Sequence, residues 1–168
     1  MIKFGLACGA ALTMSACSFS FGGLDYDKLE TKIRDALNTT YSDTGETVSR
    51  VECPEQSPGP EAGDSLQCTA EVGGQTVRVD AKVTNDEYDV EYETRDTLFD
   101  LQAVADGLSD EVSRQVEFPV TVDCGEGLKP VEVGKTFDCS ATDTQGEQRT
   151  LRITAAPVGE DDSWELLS

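Results

Sequence analysis

Two segments of the chain carry apolar residues at steps of three and four positions, which is the spacing of one helix face. The first segment follows Asp25, a candidate N-cap, and its apolar residues are Tyr26, Leu29, Ile33, Leu37 and Tyr41. The second segment follows Asp96, and its apolar residues are Leu98, Leu101, Val104, Ala105, Leu108 and Val112. The remaining positions are mostly charged or polar, so each segment predicts a helix that buries a single face.

After each helical segment the period of the pattern changes to two. In the first half the alternating runs are Val51–Cys53, Leu66–Val72, Val77–Val83 and Tyr88–Glu93. In the second half they are Val120–Cys124, Phe137–Ala141, Leu151–Ala155 and Trp164–Leu166. Gly73-Gly74 and Asn85-Asp86 are typical of hairpin turns. The alternation predicts antiparallel sheets with one buried and one solvated face.

The two halves repeat each other at an offset of 71 residues. Cys53 and Cys68 fall on Cys124 and Cys139, with fourteen residues inside each pair. After a three-residue insertion, Thr-Val-Arg-Val at 76–79 aligns with Thr-Leu-Arg-Ile at 150–153. Because a tandem repeat determines the fold, we predict an α+β protein of two repeats, 24–94 and 95–168. Each repeat is expected to be an N-terminal helix packed on a four-stranded antiparallel sheet.

Residues 1–16 have the organisation of a secretory signal. Lys3 precedes an apolar run of about 11 residues, short of the roughly 20 that span a bilayer as a helix. Because Cys17 directly follows Ser15 and Ala16, the segment resembles a bacterial lipoprotein signal. That resemblance implies cleavage before Cys17, a lipid on its thiol, a tether over 17–23, and anchoring at the extracytoplasmic side of the cell membrane. The alternative is an ordinary cleaved signal with Cys17 free or paired.

Of the six cysteines, Cys8 lies in the signal and Cys17 is the expected lipid site, which leaves four in the repeats. An even number in an exported chain indicates disulfide bonds, and spacing alone permits three pairings of four cysteines. The repeat favours one bond within each unit, Cys53–Cys68 and Cys124–Cys139. Closing a loop of about fifteen residues adds about 3 kcal/mol in the chain-entropy model, which matters for a small core worth about 3–5 kcal/mol.

Charge and composition exclude several classes of function. Without residues 1–16 the chain carries 12 basic and 33 acidic residues, a formal net charge of −21, which disfavours nucleic-acid binding. There is no histidine, so the usual general base and the commonest metal ligand are missing. The acidic turns at 43–46, 85–87 and 159–162 do not match a calcium-binding EF-hand loop. We therefore predict no catalytic residues, no metal site and no cofactor. Low-affinity cation binding and, less favoured, a histidine-free enzyme are the alternatives.

The polar phase of the strands would form the outer faces of the two sheets. Its members are Glu52, Thr69, Arg78, Asp80, Lys82 and Glu91 in the first repeat, and Asp123, Ser140, Arg152, Thr154 and Glu165 in the second. Such faces are usually only solvated. A recognition surface is the alternative, although interfaces favour aromatic anchors and this face has few.

A lipoprotein signal followed twice by a helix, a Val-x-Cys strand and a second cysteine-bearing strand resembles the actinobacterial family called domain of unknown function 4333. The resemblance is carried by Val51-Glu-Cys53-Pro54 with Leu66-Gln-Cys68, and by Val122-Asp-Cys124 with Phe137-Asp-Cys139. Gly125 stands where the first copy has Pro54. The resemblance implies a cell-envelope protein without an established activity. The expected function is that of a lipid-anchored, non-enzymatic binding module for an envelope or exported protein.

Overall fold

The computed structural model of the chain describes residues 23–42 and 45–167. The chain divides into two compact units, of which the first ends at Asp96 and the second begins at Thr97. The predicted signal at 1–16, the lipid site Cys17 and all but the last residue of the tether at 17–23 lie outside the described residues. Within the described ranges, neither helix combines the length and the apolar character needed to cross a bilayer.

The first unit is a helix followed by a four-stranded antiparallel sheet, as predicted. Its elements are α1 (Tyr26–Thr40), β1 (Val48–Glu52), β2 (Ser65–Val72), β3 (Gln75–Val83) and β4 (Val90–Thr94), with strand order β1-β2-β3-β4. Asp25 caps α1, because its carboxylate accepts a hydrogen bond from the backbone N of Lys28. The Lys28 ammonium, 3.0 Å from the same carboxylate, and then this backbone bond lower the pKa of the exposed Asp25 carboxyl.

The core of the first unit lies between the buried face of α1 and the inner face of the sheet. Leu29 and Ile33 are completely buried, and the inward residues of β2 and β3 are too. Gly73 and Gly74 both have positive φ angles, 54° and 78°, which the tight turn between β2 and β3 requires and which glycine adopts without strain.

The second unit, whose first strand begins at the last residue of the first unit, has more elements than the sequence pattern predicts. They are β5 (Asp96–Asp100), α2 (Leu101–Val116), β6 (Val120–Asp123), β7 (Leu128–Glu132), β8 (Thr136–Asp143), β9 (Gln148–Thr154) and β10 (Ser163–Leu166). The predicted four-stranded sheet is present, in the order β10-β9-β8-β6, and β5 pairs with β7 in a separate two-stranded sheet. The Cys124–Cys139 loop therefore contains a strand.

The predicted start of the second helix, directly after Asp96, is wrong. Asp100 is the N-cap, and its Oδ1 accepts hydrogen bonds from the backbone N atoms of Gln102 (3.0 Å) and Ala103 (3.2 Å). The preceding residues are extended because Phe99 packs inward, with its ring centroid 4.9 Å from that of Phe137. The two helices are thus offset by 75 residues, whereas the cysteines are offset by 71. The loop that follows α2 is correspondingly four residues shorter than the loop that follows α1.

An equivalent contact in each unit supports the offset of 75 residues between the two helices. The Oδ1 of Asn38, on α1, accepts a hydrogen bond from the backbone N of Val48 at 2.8 Å. The Oγ of Ser113, on α2, accepts one from the backbone N of Val120 at the same distance. In each unit the end of the helix is thereby tied to the first residue of the next strand.

Both predicted disulfide bonds are present, Cys53–Cys68 and Cys124–Cys139. Each joins the residue after the first strand of its sheet to a residue in the neighbouring strand, with Cα atoms 4.2 and 4.3 Å apart. Cys68 and Cys139 are buried, so each bond lies in the core of its unit.

The strand pairing differs from the sequence alignment in the second half of each repeat. Cys68 lies opposite Val79, whereas Cys139 lies opposite Leu151, so only one residue is inserted between these strands. The aligned tetrapeptides at 76–79 and 150–153 are therefore two residues out of structural register. Since side chains alternate with period two, a shift of two leaves each side chain on its predicted face.

Candidate functional site

The acidic turns singled out in the sequence bind their own backbone. The Oδ1 of Asn85 accepts hydrogen bonds from the backbone N atoms of Glu87 and Asp89, and the Oδ1 of Asp162 accepts one from Ala156. Asp43 lies outside the described residues. Where the structure describes the chain, no three or more cysteine and acidic side chains converge as a metal site would require.

The outer faces of the sheets carry cross-strand polar pairs. Arg152 donates two hydrogen bonds to the carboxylate of Asp138, at 2.8 and 2.9 Å, which lowers the pKa of Asp138 and raises that of Arg152. Gln67 similarly donates to Asp80 at 3.1 Å. These pairs are exposed and contain no aromatic anchor, as expected for a solvated face.

The most buried charge in the described chain is Asp96, at the end of the first unit. Its Oδ2 accepts hydrogen bonds from the backbone N (2.9 Å) and the Nε (2.8 Å) of Arg78, and its Oδ1 pairs with the other end of the same guanidinium. These bonds lower the pKa of Asp96 despite its burial. Burial and the nearby Asp96 charge raise the pKa of Tyr41 to about 12. Asp96 is thus a structural ion-pair partner of Arg78.

The two units diverge at one end of their cores. In the first unit Ala70 lies opposite Val77, and in the second the equivalent Ala141 lies opposite Arg149. Asp143 likewise occupies the position that Val72 has in the first unit. Val72 and Val77 are completely buried, so two buried valines of the first copy are charged residues in the second.

The neighbouring end of α2 also has less apolar volume than the corresponding end of α1. With the 75-residue helix offset, Val116 occupies the position of Tyr41, whose ring is 4% exposed in the first unit. The smaller side chain leaves a pocket of about 280 Å³, which we call the Phe118 pocket. Its lining residues are Val112, Val116, Phe118, Val120, Ala141, Asp143, Glu147, Arg149 and Leu166.

The Phe118 pocket combines an apolar interior with a charged rim. Phe118 is 47% exposed, and it is the one large apolar side chain that is exposed among the described residues. At the rim, Arg149 lies 3.5 Å from Glu147, and Asp143 accepts hydrogen bonds from the backbone of the turn that follows it. The pocket can therefore take an apolar group that has a polar neighbour.

A second pocket of about 260 Å³, the Trp164 pocket, lies further along the same helix. Its lining residues are Phe99, Ala103, Val104, Gly107, Leu108, Glu111, Ile153, Asp162, Ser163 and Trp164. Val104 and Leu108 are partly exposed, although their counterparts Leu29 and Ile33 in the first unit are completely buried. Desolvation of the Asp162 carboxyl raises its pKa, in spite of its hydrogen bond from Ala156.

The Trp164 pocket lies between α2 and β10, and the Phe118 pocket lies between the last turn of α2 and the ends of the four sheet strands. We refer to the two pockets together as the α2/β10 groove. Trp164 lines one pocket and Leu166 lines the other, and these residues share one face of β10 because they are two positions apart. Among the described strands, β10 is at the edge of its sheet. The groove has four carboxylates, Glu111, Asp143, Glu147 and Asp162, and one cation, Arg149.

The α2/β10 groove is absent from the sequence-based predictions. Its strongest signal is the presence of Asp143 and Arg149 in the apolar phase of β8 and β9. The alignment of the two tetrapeptides concealed this signal, since it matched Val77 with Leu151 instead of with Arg149.

The comparisons with known proteins agree with the duplication. The family model described as domain of unknown function (DUF4333) matches the chain twice, at residues 11–87 and 90–159. No curated protein and no solved structure matches the chain.

Proposed function

We infer that this chain, which belongs to the DUF4333 family through two tandem copies of the domain, is a binding module of the cell envelope. It is anchored by a lipid at Cys17 on the extracytoplasmic side of the membrane, and it binds an envelope or exported protein through its second unit. The observation that carries this proposal is the α2/β10 groove, which is open in the second unit where the first unit is closed.

The comparison of the two units favours a binding surface over a random defect in packing. Replacing buried valines by an aspartate and an arginine removes apolar burial that is worth about 1.5–3 kcal/mol for each side chain. The same fold in the first unit shows that the space can be filled. A surface that leaves apolar side chains exposed in this way is typical of a site that a partner covers.

A non-enzymatic role agrees with the chemistry of the described residues. The chain has no histidine, and the buried carboxylate of Asp96 is bonded to Arg78. The groove supplies apolar contact area with a few polar groups at its rim, which are the properties of binding sites.

Photocrosslinking in cells tests the binding proposal. A photoreactive amino acid in place of Phe118 is expected to capture one protein, and the same amino acid in place of the exposed Lys82, on the outer face of the first unit, is not. The closing variant, Val116→Tyr with Arg149→Val, restores two of the three first-unit residues, leaving Asp143 in place, and is expected to abolish the crosslink when Phe118 carries the photoreactive group. Equal capture from both positions, or capture that persists in the closing variant, would contradict the proposal.

The lipid anchor has its own test. The mature protein is expected to begin at Cys17 and to carry diacylglycerol, which intact-mass spectrometry of the membrane fraction detects. Cys17→Ser should move the protein out of that fraction. A mature chain without added lipid mass would overturn this part of the proposal and leave the binding site unaffected.

A further inference from the structure

We propose that the partner segment is an extended, basic peptide that adds to β10 as a further strand and places an apolar side chain in the Trp164 pocket. The inference rests on the proposed function, because it specifies how the α2/β10 groove is occupied and by what chemistry.

The outer edge of β10 has the hydrogen-bonding groups that such a strand needs. The backbone N of Leu167 donates to the O of Thr150 on the neighbouring strand, at 2.8 Å. In an antiparallel pair the groups of successive residues point alternately toward and away from the partner strand. The backbone groups of Trp164 and Leu166 therefore point away from β9, at the open edge.

The Trp164 pocket is within reach of a strand paired with β10. Trp164 and Leu166 are two residues apart on one face, which corresponds to about 6.8 Å along β10. A strand paired with β10 has its own alternate side chains at the same spacing and on the same side of the sheet. The apolar side chain opposite Trp164 would enter the Trp164 pocket, between β10 and α2, and the one opposite Leu166 would pack beside Leu166. This is the geometry of peptide recognition by strand addition, in which the main chain binds and alternate side chains select.

The charges around the groove select a basic segment. Four of the five charged side chains lining it are carboxylates, and Glu165 adds an exposed carboxylate on the outer face of β10. Lysine or arginine between the apolar residues would lie beside Glu165 on the outer face, where opposite charges on neighbouring strands attract. A cation near the ring of Trp164 would also be attracted to its π face.

A second copy of the chain is a less suitable occupant. Two β10 strands paired at their edges would bring Glu165 near its own copy, in a protein of formal net charge −20. Repulsion between like charges disfavours that pairing.

The single tryptophan of the chain, Trp164, provides a direct reading of occupancy. The probe is a capped synthetic peptide, Gly-Lys-Val-Lys-Phe-Lys-Gly, titrated into the purified unlipidated protein while the fluorescence of Trp164 is recorded. We expect a saturable spectral shift that weakens as salt is added. The matched peptide with glutamate in place of each lysine should bind at least about tenfold more weakly.

Backbone methylation separates strand addition from other ways of filling the groove. In a peptide strand only every second N–H points to β10, so N-methylation of alternate residues defines two phases. Methylation in one phase should weaken binding about tenfold, because it removes hydrogen bonds and adds bulk at the edge, and methylation in the other phase should have little effect. Gly107→Phe, which places a large side chain in the Trp164 pocket, should weaken binding, whereas Gly107→Ala should not.

The outcomes of these experiments distinguish a failure of this inference from a failure of the proposed function. Equal weakening by both methylation phases would overturn strand addition. Failure of the basic peptide to shift the Trp164 spectrum, while the crosslink from position 118 persists in cells, would overturn the peptide chemistry and leave the proposed function standing. A spectral shift that depends on protein concentration without peptide would identify a second copy as the occupant and overturn the inference. Loss of both the peptide shift and the cellular crosslink would overturn the inference and the proposed function together.

Discussion

Asp96 illustrates how one side chain can secure a boundary in this chain. It is the last residue of the first unit, and its side chain is 6% exposed, against 33% for Arg78. The carboxylate binds both the backbone and the guanidinium of Arg78, so β3 is fixed to the point where the chain leaves the unit. Such a pair stabilises mainly because removing one partner leaves the other charge poorly solvated.

We expect Asp96→Asn to lower the free energy of unfolding by about 1.5–3 kcal/mol, the range for hydrogen bonds to charged groups. Urea denaturation at pH 7 measures the change. The matched control is Asp138→Asn, which removes the exposed pair with Arg152 and should barely shift the midpoint. An equal shift for both variants would show that burial of Asp96 is unimportant.

The pH dependence of this contribution has a defined sign. Hydrogen bonds from Arg78 lower the pKa of Asp96 in the folded protein, so its stabilisation is complete above the unfolded-state value of about 3.9. It is lost as the pH falls through the lowered folded-state pKa. The difference in stability between the parent protein and Asp96→Asn should therefore shrink in acid. A difference that grows below pH 4 would contradict this assignment.

The pKa of Asp162, at the rim of the Trp164 pocket, is shifted in the opposite direction, so its effect on stability has the opposite pH dependence. Desolvation raises its folded-state pKa, so its ionisation opposes folding, and stability is lost as the pH rises through that pKa. We expect Asp162→Asn, whose amide oxygen can still accept from Ala156, to be more stable than the parent protein at pH 7 and equally stable in strong acid. Thermal melting across that pH range is the measurement, and a variant less stable than the parent at pH 7 would refute the expectation.

At the scale of elements, the two disulfide loops have equal length and different contents. Both bonds span a sequence separation of 15, but the second loop contains β7, which pairs with β5 and buries Val131. The stretch of the first loop from Cys53 to Asp64 contains no strand. The second loop is thus held by a strand pairing that the first loop lacks, although the first loop also buries Pro60.

The paired variants Cys53→Ala/Cys68→Ala and Cys124→Ala/Cys139→Ala, each without one disulfide bond, should be alike in stability and different in cleavage of the freed loop. Because loop length sets the chain-entropy term, each variant should lose about 3 kcal/mol of unfolding free energy. Under native conditions, limited proteolysis should nonetheless cut the first loop in the first variant much faster than it cuts the second loop in the second variant. Equal cleavage of the two loops would show that β7 does not hold the second loop in place.

Most of the elements follow from the period of the apolar pattern, and the exceptions have physical reasons. The helices and the eight strands of the two larger sheets were predictable because each buries one face. The strand β5 was not, since Leu98 and Phe99 are both buried and their alternation is lost. Its partner β7 contains Pro130, which argues against a strand but is tolerated in a two-stranded sheet with open edges. The α2/β10 groove depends on volumes that two copies of a fold leave unfilled, which no periodicity encodes.

At the scale of the whole molecule, the duplication gives two units with different properties. The first unit fills the space at its helix end with Tyr41, Val72 and Val77, and the second unit leaves the corresponding space open. A protein that retains one closed copy can accept a less stable second copy, because sites that bind a partner are often poorly packed without it. We therefore propose that the second unit carries the binding function.

The closing variant tests this trade between stability and function. Val116→Tyr with Arg149→Val should raise the free energy of unfolding of the second unit by about 1–2 kcal/mol through added apolar burial, and it should reduce binding to the partner. Differential scanning calorimetry and the crosslink from position 118 measure the two effects. A variant that is less stable than the parent would show that the first unit's residues do not fit the second.

Hydroxyl-radical footprinting tests most directly whether the groove is open in the isolated protein and covered in the envelope. In the purified protein, Phe118 and Trp164 should be oxidised rapidly, whereas Tyr41, which fills the corresponding space in the first unit, should be protected. In intact cells, the oxidation of Phe118 and Trp164 should fall severalfold, while that of Tyr88, outside the groove, should not change. Equal oxidation of Phe118 and Trp164 in cells and in the purified protein would contradict the account, because the groove would then have no partner in the envelope.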